Sequence, residues 1–382
     1  MSTNAPSKII QNGIVFHYDT VNVKSYKGEP TVNVVTNAYT MTGWSDYAFG
    51  NDGTFITEFG TTGYRIINRG SWNGIYRGIT LNATGDNTFS AYVRYWGGDA
   101  NNNGATVYFN GFGFGGDQAV GINKSIVGVW QRVTMTRNCT NTGGTFYIIS
   151  YGGTYGGSEK STWDVTMPQV EQKSYASQFT DGTRSNTNGL VDLTGNCTVN
   201  LNSSSFDSSA NITFNGSSCV TVDDTAAIAL SGDKSFCMWI NLAADSSGCG
   251  FGGKSNGTVS GMSLGYGWNS NGFMSLNWNT SNSPYLAKDL TRDVGKWVYL
   301  AAVQSGGTRY IYAMDASGIR SSSSSGGTHS WSNSLPLKIG RINDYASMPS
   351  GTKIDYVSVY NRALTQDEVL QNFNRTKSRF GM

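Results

Sequence analysis

The sequence is short of charged residues, prolines and histidines, and each shortage narrows the kind of protein it encodes. Charged residues make up 14% of the 382 positions, and 27 basic and 25 acidic side chains leave a formal net charge of +2. Because both signs are interspersed, there is no sustained positive field to attract a polyanion. We therefore expect no nucleic-acid partner.

Long apolar runs are also missing. The apolar stretches extend over about six to eight residues, whereas a membrane-spanning helix needs about 20. Residues 1–7 are polar and lack the basic-then-apolar pattern of a secretory signal. We therefore expect that the protein does not insert into a membrane. We also expect that it is made in a reducing cytosol.

The cysteines are few, odd in number and without CxxC spacing. Disulfides and zinc sites in proteins need paired or closely spaced ligands, so we expect free thiols instead. The five positions are Cys139, Cys197, Cys219, Cys237 and Cys249.

Glycine (49 residues) and aromatic side chains (13%) are abundant, and this composition favours strands and tight turns. Short alternating runs such as 130–136 follow one another between residues 38 and 181 and predict a β-sandwich. Farther along, residues 296–303 and 309–314 predict a hairpin. The serine and glycine tract 321–327 has too little apolar surface to pack and predicts a loop.

One segment near the C-terminus predicts a short helix. Thr365 is a natural N-cap, and Glu368, three residues later, completes a capping box. Val369, Leu370 and Phe373 then form an apolar stripe that is expected to dock on a sheet.

Three strings in the last third of the chain carry a family resemblance: GKWVYLA (295–301), LKIGR (337–341) and IDYVSVYNRALT (354–365). They resemble the closing half of the concanavalin A-like jelly roll in its LamG-like form. Residues 212–217 and 235–240 look like early strands of the same fold. The resemblance therefore covers most of residues 188–374.

The string IQNGIVFHYD (10–19) resembles the opening strand that phage-encoded LamG-like proteins place just before a DLTGN stretch, which here arrives only at 192–196. We therefore expect residues 1–33 to complete the C-terminal sandwich at 188–382, with a second domain at 34–187 inserted in a loop. The alternative is two sequential domains with an independent N-terminal arm.

The inserted segment resembles a carbohydrate-binding-module jelly roll through residues 89–95, 129–134, 167–171 and 176–179. The PQVE string at 168–171 recurs in phage structural proteins, and KSRFGM (377–382) resembles the ends of phage virion proteins. The implied fold is all-β: two antiparallel jelly-roll sandwiches, concanavalin A-like and carbohydrate-binding-module-like, with one short C-terminal helix.

The sequence gives little support for a catalytic site. A hydrolase of this class carries paired glutamates on one strand, but the sequence has no ExDxE spacing and Glu58, Glu159, Glu171 and Glu368 are isolated. A serine triad needs a histidine base. His17 lies within an alternating strand, and His329 follows a serine and glycine loop.

Aromatic side chains on turns are the candidates for binding a glycan or a partner protein, because an aromatic ring stacks on a pyranose and also anchors protein interfaces. The alternation of Trp130, Trp239 and Trp297 predicts that those three fill the core instead. The candidates are Trp72, Trp96, Tyr151, Tyr155 and Trp268.

The jelly-roll resemblance implies one possible cofactor, a structural calcium ion on loop carboxylates. Asp344 and Asp355 are the candidate ligands. Tyr356 stands where the LamG-like motif commonly has a second acidic residue, which is a departure from that pattern.

These features predict a non-enzymatic phage virion surface protein, such as a capsid decoration, neck or tail appendage, made in the host cytoplasm. Expected partners are neighbouring virion proteins, host cell-surface polysaccharide and further copies of the chain in a homo-oligomer. Two alternatives stay open: a glycan-active hydrolase or lyase, and a purely structural protein that stabilises a shell.

Overall fold

The chain forms two compact units, each with its own core. The discontinuous unit comprises Met1–Glu29 and Asn186–Met382, and the inserted unit comprises Pro30–Ser185, whereas the sequence predicted junctions after residues 33 and 187. The structure is a computed structural model that describes residues 8–47, 54–58, 60–68, 74–98, 105–113, 118–150, 161–202, 204–207, 209–255, 261–276, 283–325, 327–342 and 347–382.

Strands dominate the described residues, and the all-β prediction is confirmed. In chain order the strands are β1 (Ile14–Asp19), β2 (Thr31–Val32), β3 (Ser45–Tyr47), β4 (Thr54–Glu58), β5 (Thr61–Asn68), β6 (Gly74–Thr80), β7 (Gly85–Gly98), β8 (Ala105–Gly111), β9 (Gln118–Gly121), β10 (Trp130–Cys139), β11 (Gly143–Ser150), β12 (Ser161–Glu171), β13 (Thr183–Arg184), β14 (Val199–Asn200), β15 (Ser205–Phe206), β16 (Ile212–Thr213), β17 (Val220–Val222), β18 (Lys234–Asn241), β19 (Cys249–Gly253), β20 (Ser263–Tyr266), β21 (Phe273–Leu276), β22 (Trp297–Ser305), β23 (Thr308–Asp315), β24 (Gly318–Ser325), β25 (Leu337–Ile339) and β26 (Lys353–Tyr360). The helices are α1 (Leu290–Asp293) and α2 (Gln366–Thr376), and single 3-10 turns lie at Ala226–Ile228, Trp268–Ser270 and Lys377–Phe380.

The inserted unit is a sandwich of two five-stranded antiparallel sheets. Their strand orders are β10-β7-β12-β5-β4 and β3-β6-β11-β8-β9. Phe89 and Val93 of β7 are fully buried in the core between the sheets, together with Phe146 and Trp163. Ala91 and Tyr95 belong to the same core, and because side chains alternate along a strand, Tyr92, Arg94 and Trp96 lie on the opposite, outer face of the sheet.

The discontinuous unit packs an eight-stranded sheet on a six-stranded one. The first has the order β15-β16-β26-β18-β22-β23-β24, with β1 as an eighth strand that pairs with β26 off this path, and the second has the order β14-β17-β25-β19-β20-β21. The predicted hairpin is confirmed as β22 and β23, which pair from Tyr299↔Met314 to Ser305↔Thr308. The core between the two sheets is fully apolar at β18, where Phe236, Met238 and Ile240 are completely buried.

Strand β1 belongs to the larger sheet, where it pairs with β26. Its inward residues Phe16 and Tyr18 are fully buried. On its other edge, the buried Asp192 carboxylate accepts a hydrogen bond from the His17 amide at 2.9 Å and further ones from the amides of the 194–197 turn. The DLTGN segment, which follows the inserted unit in sequence, is thus hydrogen-bonded to β1 through Asp192.

Helix α2 covers the outer face of the larger sheet, and its predicted capping box is present at Thr365 and Glu368. Val369 and Phe373 are buried against that face, but Leu370 is 38% exposed, so the predicted stripe is narrower than expected. None of the helices in the described part of the chain has the length and apolar character required to span a bilayer.

The serine tract is not the predicted loop. Residues 321–325 end strand β24, which pairs with β23 along its whole length at the edge of the sheet. An edge strand needs only backbone hydrogen bonds on one side, and its polar side chains alternate between exposed and half-buried. Apolar content was therefore the wrong criterion for this segment.

The five cysteines are thiols, and Cys139, Cys237 and Cys249 are buried. Burial raises the pKa of Cys237 to about 12. A thiol with so high a pKa is a poor nucleophile at neutral pH, so this cysteine serves as a small core residue.

Replacing Thr365 with alanine is expected to destabilise α2 by about 1 kcal/mol, because the Glu368 amide loses its side-chain acceptor at 3.2 Å. Amide hydrogen exchange over residues 366–376 measures this loss, with protection falling about fivefold. Ser378→Ala, just after the helix, is the control and should leave exchange unchanged. Equal protection in Thr365→Ala and the natural chain would contradict the capping role.

Candidate functional site

The outer face of the β10-β7-β12-β5-β4 sheet carries a row of large polar and aromatic residues. The strand register aligns Trp130 with Arg94, Arg94 with Asp164, and Asp164 with Arg65. Trp96 lies two residues along β7 from Arg94, on the same side of the sheet. These five residues are called the arginine–tryptophan face.

Asp164 is the centre of this face and is fully buried. Its carboxylate accepts hydrogen bonds from Arg65 at 2.7 and 3.0 Å, from Arg94 at 2.7 and 3.0 Å, and from the Trp96 indole N–H at 2.7 Å. Burial alone raises the pKa of Asp164, but the hydrogen bonds from Arg65, Trp96 and Arg94 bring the net pKa below its ordinary value. Asp164 is therefore ionised at neutral pH and holds three neighbouring side chains in position.

Arg94 is sandwiched between two indole rings. Its guanidinium carbon lies 4.6 Å from the ring centroid of Trp96 and 4.5 Å from that of Trp130, within the range of a cation–π contact. Its Nη2 also donates to Glu58 at 2.7 Å. These contacts restrict the rotamers of both tryptophans, although Trp96 is 41% exposed.

Arg132 extends the face along β10. Its Nη2 donates to Ser90 at 3.1 Å, and its guanidinium lies 5.6 Å from the centre of the Tyr92 ring. Within the described part of the chain, its buried Nε has no hydrogen-bond partner. Burial lowers the pKa of Arg132, although the group stays charged at neutral pH. Arg132 thus carries an unused but buried donor, whereas the Arg94 guanidinium bonds both Asp164 and Glu58.

The arrangement is suited to binding a polar ring rather than to proton transfer. An exposed indole supplies a flat apolar surface, and adjacent guanidinium and carboxylate groups supply hydrogen bonds to hydroxyls. A general acid requires a carboxyl group with a raised pKa. Asp164 has the opposite shift and is inaccessible, so it is poorly suited to donate a proton.

Of the predicted binding residues, Trp96 belongs to this face. Trp268 lies in the other unit, half-buried against Met274 and Ile342. The two residues therefore belong to different units. The remaining candidates, Trp72, Tyr151 and Tyr155, lie outside the described residues.

The prediction that Trp130 fills the core is wrong. Val133 and Met135 of the same strand point into the core, so alternation directs Trp130 to the outer face, where it stacks on Arg94. Trp239 is fully buried as predicted, and Trp297 packs partly buried in the same cluster under α2.

Sequence reasoning missed Asp164, Arg65, Arg94 and Arg132. A signal was available in β7, where Tyr92, Arg94 and Trp96 alternate with core residues and so share one face. No comparable signal marked Asp164, because its partners are distant in sequence and meet it only through sheet pairing.

The predicted calcium ligand Asp355 is fully buried, accepts a hydrogen bond from the Thr20 hydroxyl and lies 3.4 Å from the Arg379 guanidinium. Burial raises the pKa of Asp355. Among the described residues no group of three or more His, Cys, Asp or Glu side chains is arranged to hold a metal. Asp344 lies outside those residues, so the calcium site stays a prediction.

Several solved structures are similar to parts of the chain, all at low identity. The botulinum neurotoxin serotype D binding domain is 15% identical over 51% of this chain and 50% of that chain, with a TM-score of 0.39. Domain 4 of AbnA, a GH43 extracellular arabinanase from Geobacillus stearothermophilus in complex with arabinotriose, is 18% identical over 48% of this chain and 91% of that chain, with a TM-score of 0.38. The CBM22-1-CBM22-2 tandem domain of Paenibacillus barcinonensis Xyn10C is 12% identical over 88% and 98%, with a TM-score of 0.28.

The chain spans about half the length of the neurotoxin domain it matches. No curated protein matches its sequence. Residues 214–370 match the family described as the Concanavalin A-like lectin/glucanases superfamily, and the discontinuous unit that contains them is a sandwich of that type.

Proposed function

We propose that the chain is a non-enzymatic surface protein of a phage virion and that its arginine–tryptophan face binds a glycan on the host surface. The observation that carries the proposal is the exposed Trp96 ring, held in place by the buried Asp164 and by stacking on Arg94. A ring fixed before binding loses little conformational freedom when a sugar stacks on it.

The polar groups around Trp96 supply the second half of a sugar site. Arg65 and Glu58 have side chains about one third exposed, at 36% and 32%, and remain accessible to hydroxyl groups. Among the residues that the structure describes, no carboxylate bonds the Arg132 guanidinium. Donors and acceptors thus flank a flat apolar ring. The ring can stack on the apolar face of a pyranose while the flanking groups bond its hydroxyls.

The same contacts argue against glycan hydrolysis at this face. Hydrolysis needs two carboxyl groups, one of which must be protonated to act as the acid. Asp164 and Glu58 both bond to the Arg94 guanidinium, and Asp164 is buried with a lowered pKa. A carboxylate held in this way stabilises its partners and does not deliver a proton.

The assignment to a virion rests on the resemblance of three strings, at 10–19, 168–171 and 377–382, to phage-encoded proteins. On a particle, this protein would contact neighbouring virion proteins and further copies of itself. Mass spectrometry of phage particles purified from a lysate is expected to detect its peptides in the particle fraction. Peptides found only in the soluble fraction would contradict the assignment.

Glycan binding is tested with the full chain and a panel of immobilised bacterial surface polysaccharides. Trp96→Ala is expected to weaken binding about fivefold or more, since an aromatic anchor that the bound ligand buries typically contributes over 1 kcal/mol. Tyr285→Ala removes an aromatic side chain that is 50% exposed in the other unit and should leave binding unchanged. Equal binding by all three proteins would contradict the proposed face, and newly released reducing ends would favour the hydrolase alternative.

A further inference from the structure

A concave site lies in the discontinuous unit, beside the C-terminal end of α2. The cleft has a volume of about 780 Å³ and is lined by residues of β1, β26, α2 and the turn that follows α2. This volume is in the range of sites that hold small molecules or short saccharides. Because His17 lies at its wall, it is called the His17 cleft.

The His17 cleft carries an excess of positive charge. Lys8, Lys24 and Arg375 line it, and within the described part of the chain none of them forms an ion pair. The lining carboxylate of Asp19 is already engaged by the Arg379 guanidinium, at 2.6 and 2.7 Å. Three cations are therefore left to attract an anionic ligand, while the Asp19–Arg379 pair fixes the wall between β1 and the end of the chain.

The wall also offers neutral hydrogen-bonding groups. His17 is 7% exposed, and its ring lies 4.8 Å from the Tyr356 ring. Its buried Nε2 has no hydrogen-bond partner among the residues that the structure describes. Gln11 and Asn22 add side-chain amides to the lining. Burial lowers the pKa of His17 to about 4, so its imidazole is neutral at pH 7 and presents both a donor and an acceptor.

We propose that the His17 cleft binds an acidic sugar unit, with the lining cations pairing with its carboxylate and with His17 and the amides bonding its hydroxyls. A bare inorganic anion would use the cations but leave the amides and the imidazole without a role. The site lies in a different unit from the arginine–tryptophan face, and the inference does not depend on the function proposed for that face.

The chain contains only two histidines, so imidazole nuclear magnetic resonance reports on the cleft directly. Uniformly ¹⁵N-labelled full chain is titrated at pH 7 with D-glucuronate, D-galacturonate or N-acetylneuraminate. At least one of them is expected to shift the His17 ring signals to saturation while the His329 signals stay in place. D-Glucose and inorganic phosphate serve as the neutral-sugar and bare-anion probes.

The double variant Lys24→Gln with Arg375→Gln should weaken this binding about fivefold or more, since it removes two cations that pair with the carboxylate. Lys296→Gln, which removes one positive charge from a residue outside the cleft lining, should bind like the natural chain. Unmoved His17 signals with all three acidic sugars would overturn the proposal. Phosphate shifting His17 as strongly as the best sugar would overturn the sugar assignment and leave a simple anion site.

Discussion

Replacing Asp164 with asparagine is expected to destabilise the inserted unit by about 3–5 kcal/mol, the usual effect of removing one partner from a buried ion pair. Asp164 is fully buried and neutralises Arg65 and Arg94, and the Arg94 side chain is only 11% exposed. An amide of the same shape cannot neutralise either guanidinium. The amide also has one oxygen where the carboxylate has two, so fewer acceptors remain for the Trp96 N–H and the two guanidinium groups. We therefore expect the exposed indole ring to lose its orientation as the unit loses stability.

Hydrogen exchange resolved by peptide is the appropriate measurement, because it reports on β7 and β12 separately from the other unit. Asp86→Asn is the control, because it makes the same substitution at an exposed carboxylate that accepts a hydrogen bond from Asn138. It is expected to change the free energy of unfolding by less than about 0.5 kcal/mol. If Asp164→Asn and Asp86→Asn had similarly small effects, the buried carboxylate would not organise the face.

The pH dependence follows from the direction of the Asp164 shift. A carboxyl group whose pKa is lowered by folding contributes stability that is fully present above its unfolded pKa of about 3.9 and is lost as pH falls through the lower folded value. The difference in stability between the natural chain and Asp164→Asn should therefore be constant near neutral pH. It should shrink only below about pH 4.

Removing residues 1–29 is expected to abolish folding of the discontinuous unit. The deletion takes away Phe16 and Tyr18, both fully buried, each contributing about 1.5–3 kcal/mol, and it also exposes the β26 backbone that pairs with β1. Those losses approach the whole stability of a typical domain, about 5–15 kcal/mol. The expected result is loss of dispersed amide signals from residues 186–382 and aggregation in size-exclusion chromatography.

The complementary variant removes the inserted unit and keeps β1. The Lys27 amide donates to the Gly189 carbonyl at 2.9 Å, so the two cut ends are close enough for a short glycine and serine linker. A chain of residues 1–29 linked to 186–382 is therefore expected to fold. If the chain lacking residues 1–29 kept its dispersed C-terminal signals, β1 would be dispensable.

The parts of the fold that the sequence predicted are those fixed by local chemistry. The capping box at Thr365 and Glu368 depends on residues three apart, and the β22–β23 hairpin depends on two adjacent alternating runs. The face of Trp130 was misjudged because an aromatic residue at the start of a strand fits either face until the core positions of that strand are known. The serine tract was misjudged because pairing at a sheet edge does not require apolar side chains.

The candidate site was harder to predict because it is assembled from distant strands. Arg65, Arg94 and Asp164 come from three strands separated by dozens of residues, and only the register of β5, β7 and β12 brings them together. Trp96 was a candidate on its own chemistry, but its anchor, Asp164, lies between the core residues Trp163 and Val165. The alternation of β12 gave no indication that Asp164 would be covered by two arginines.

The most direct test of glycan binding by the arginine–tryptophan face is the response of the indole N–H signals of the full chain to a polysaccharide fragment that it binds. Trp96 is assigned with a Trp96→Phe variant, and the fully buried Trp239 and Trp331 serve as internal references. The proposed function predicts that Trp96 and Trp130 shift together and saturate while the references stay still. Shifts confined to Trp268, or no shift of Trp96 at saturating fragment, would contradict it.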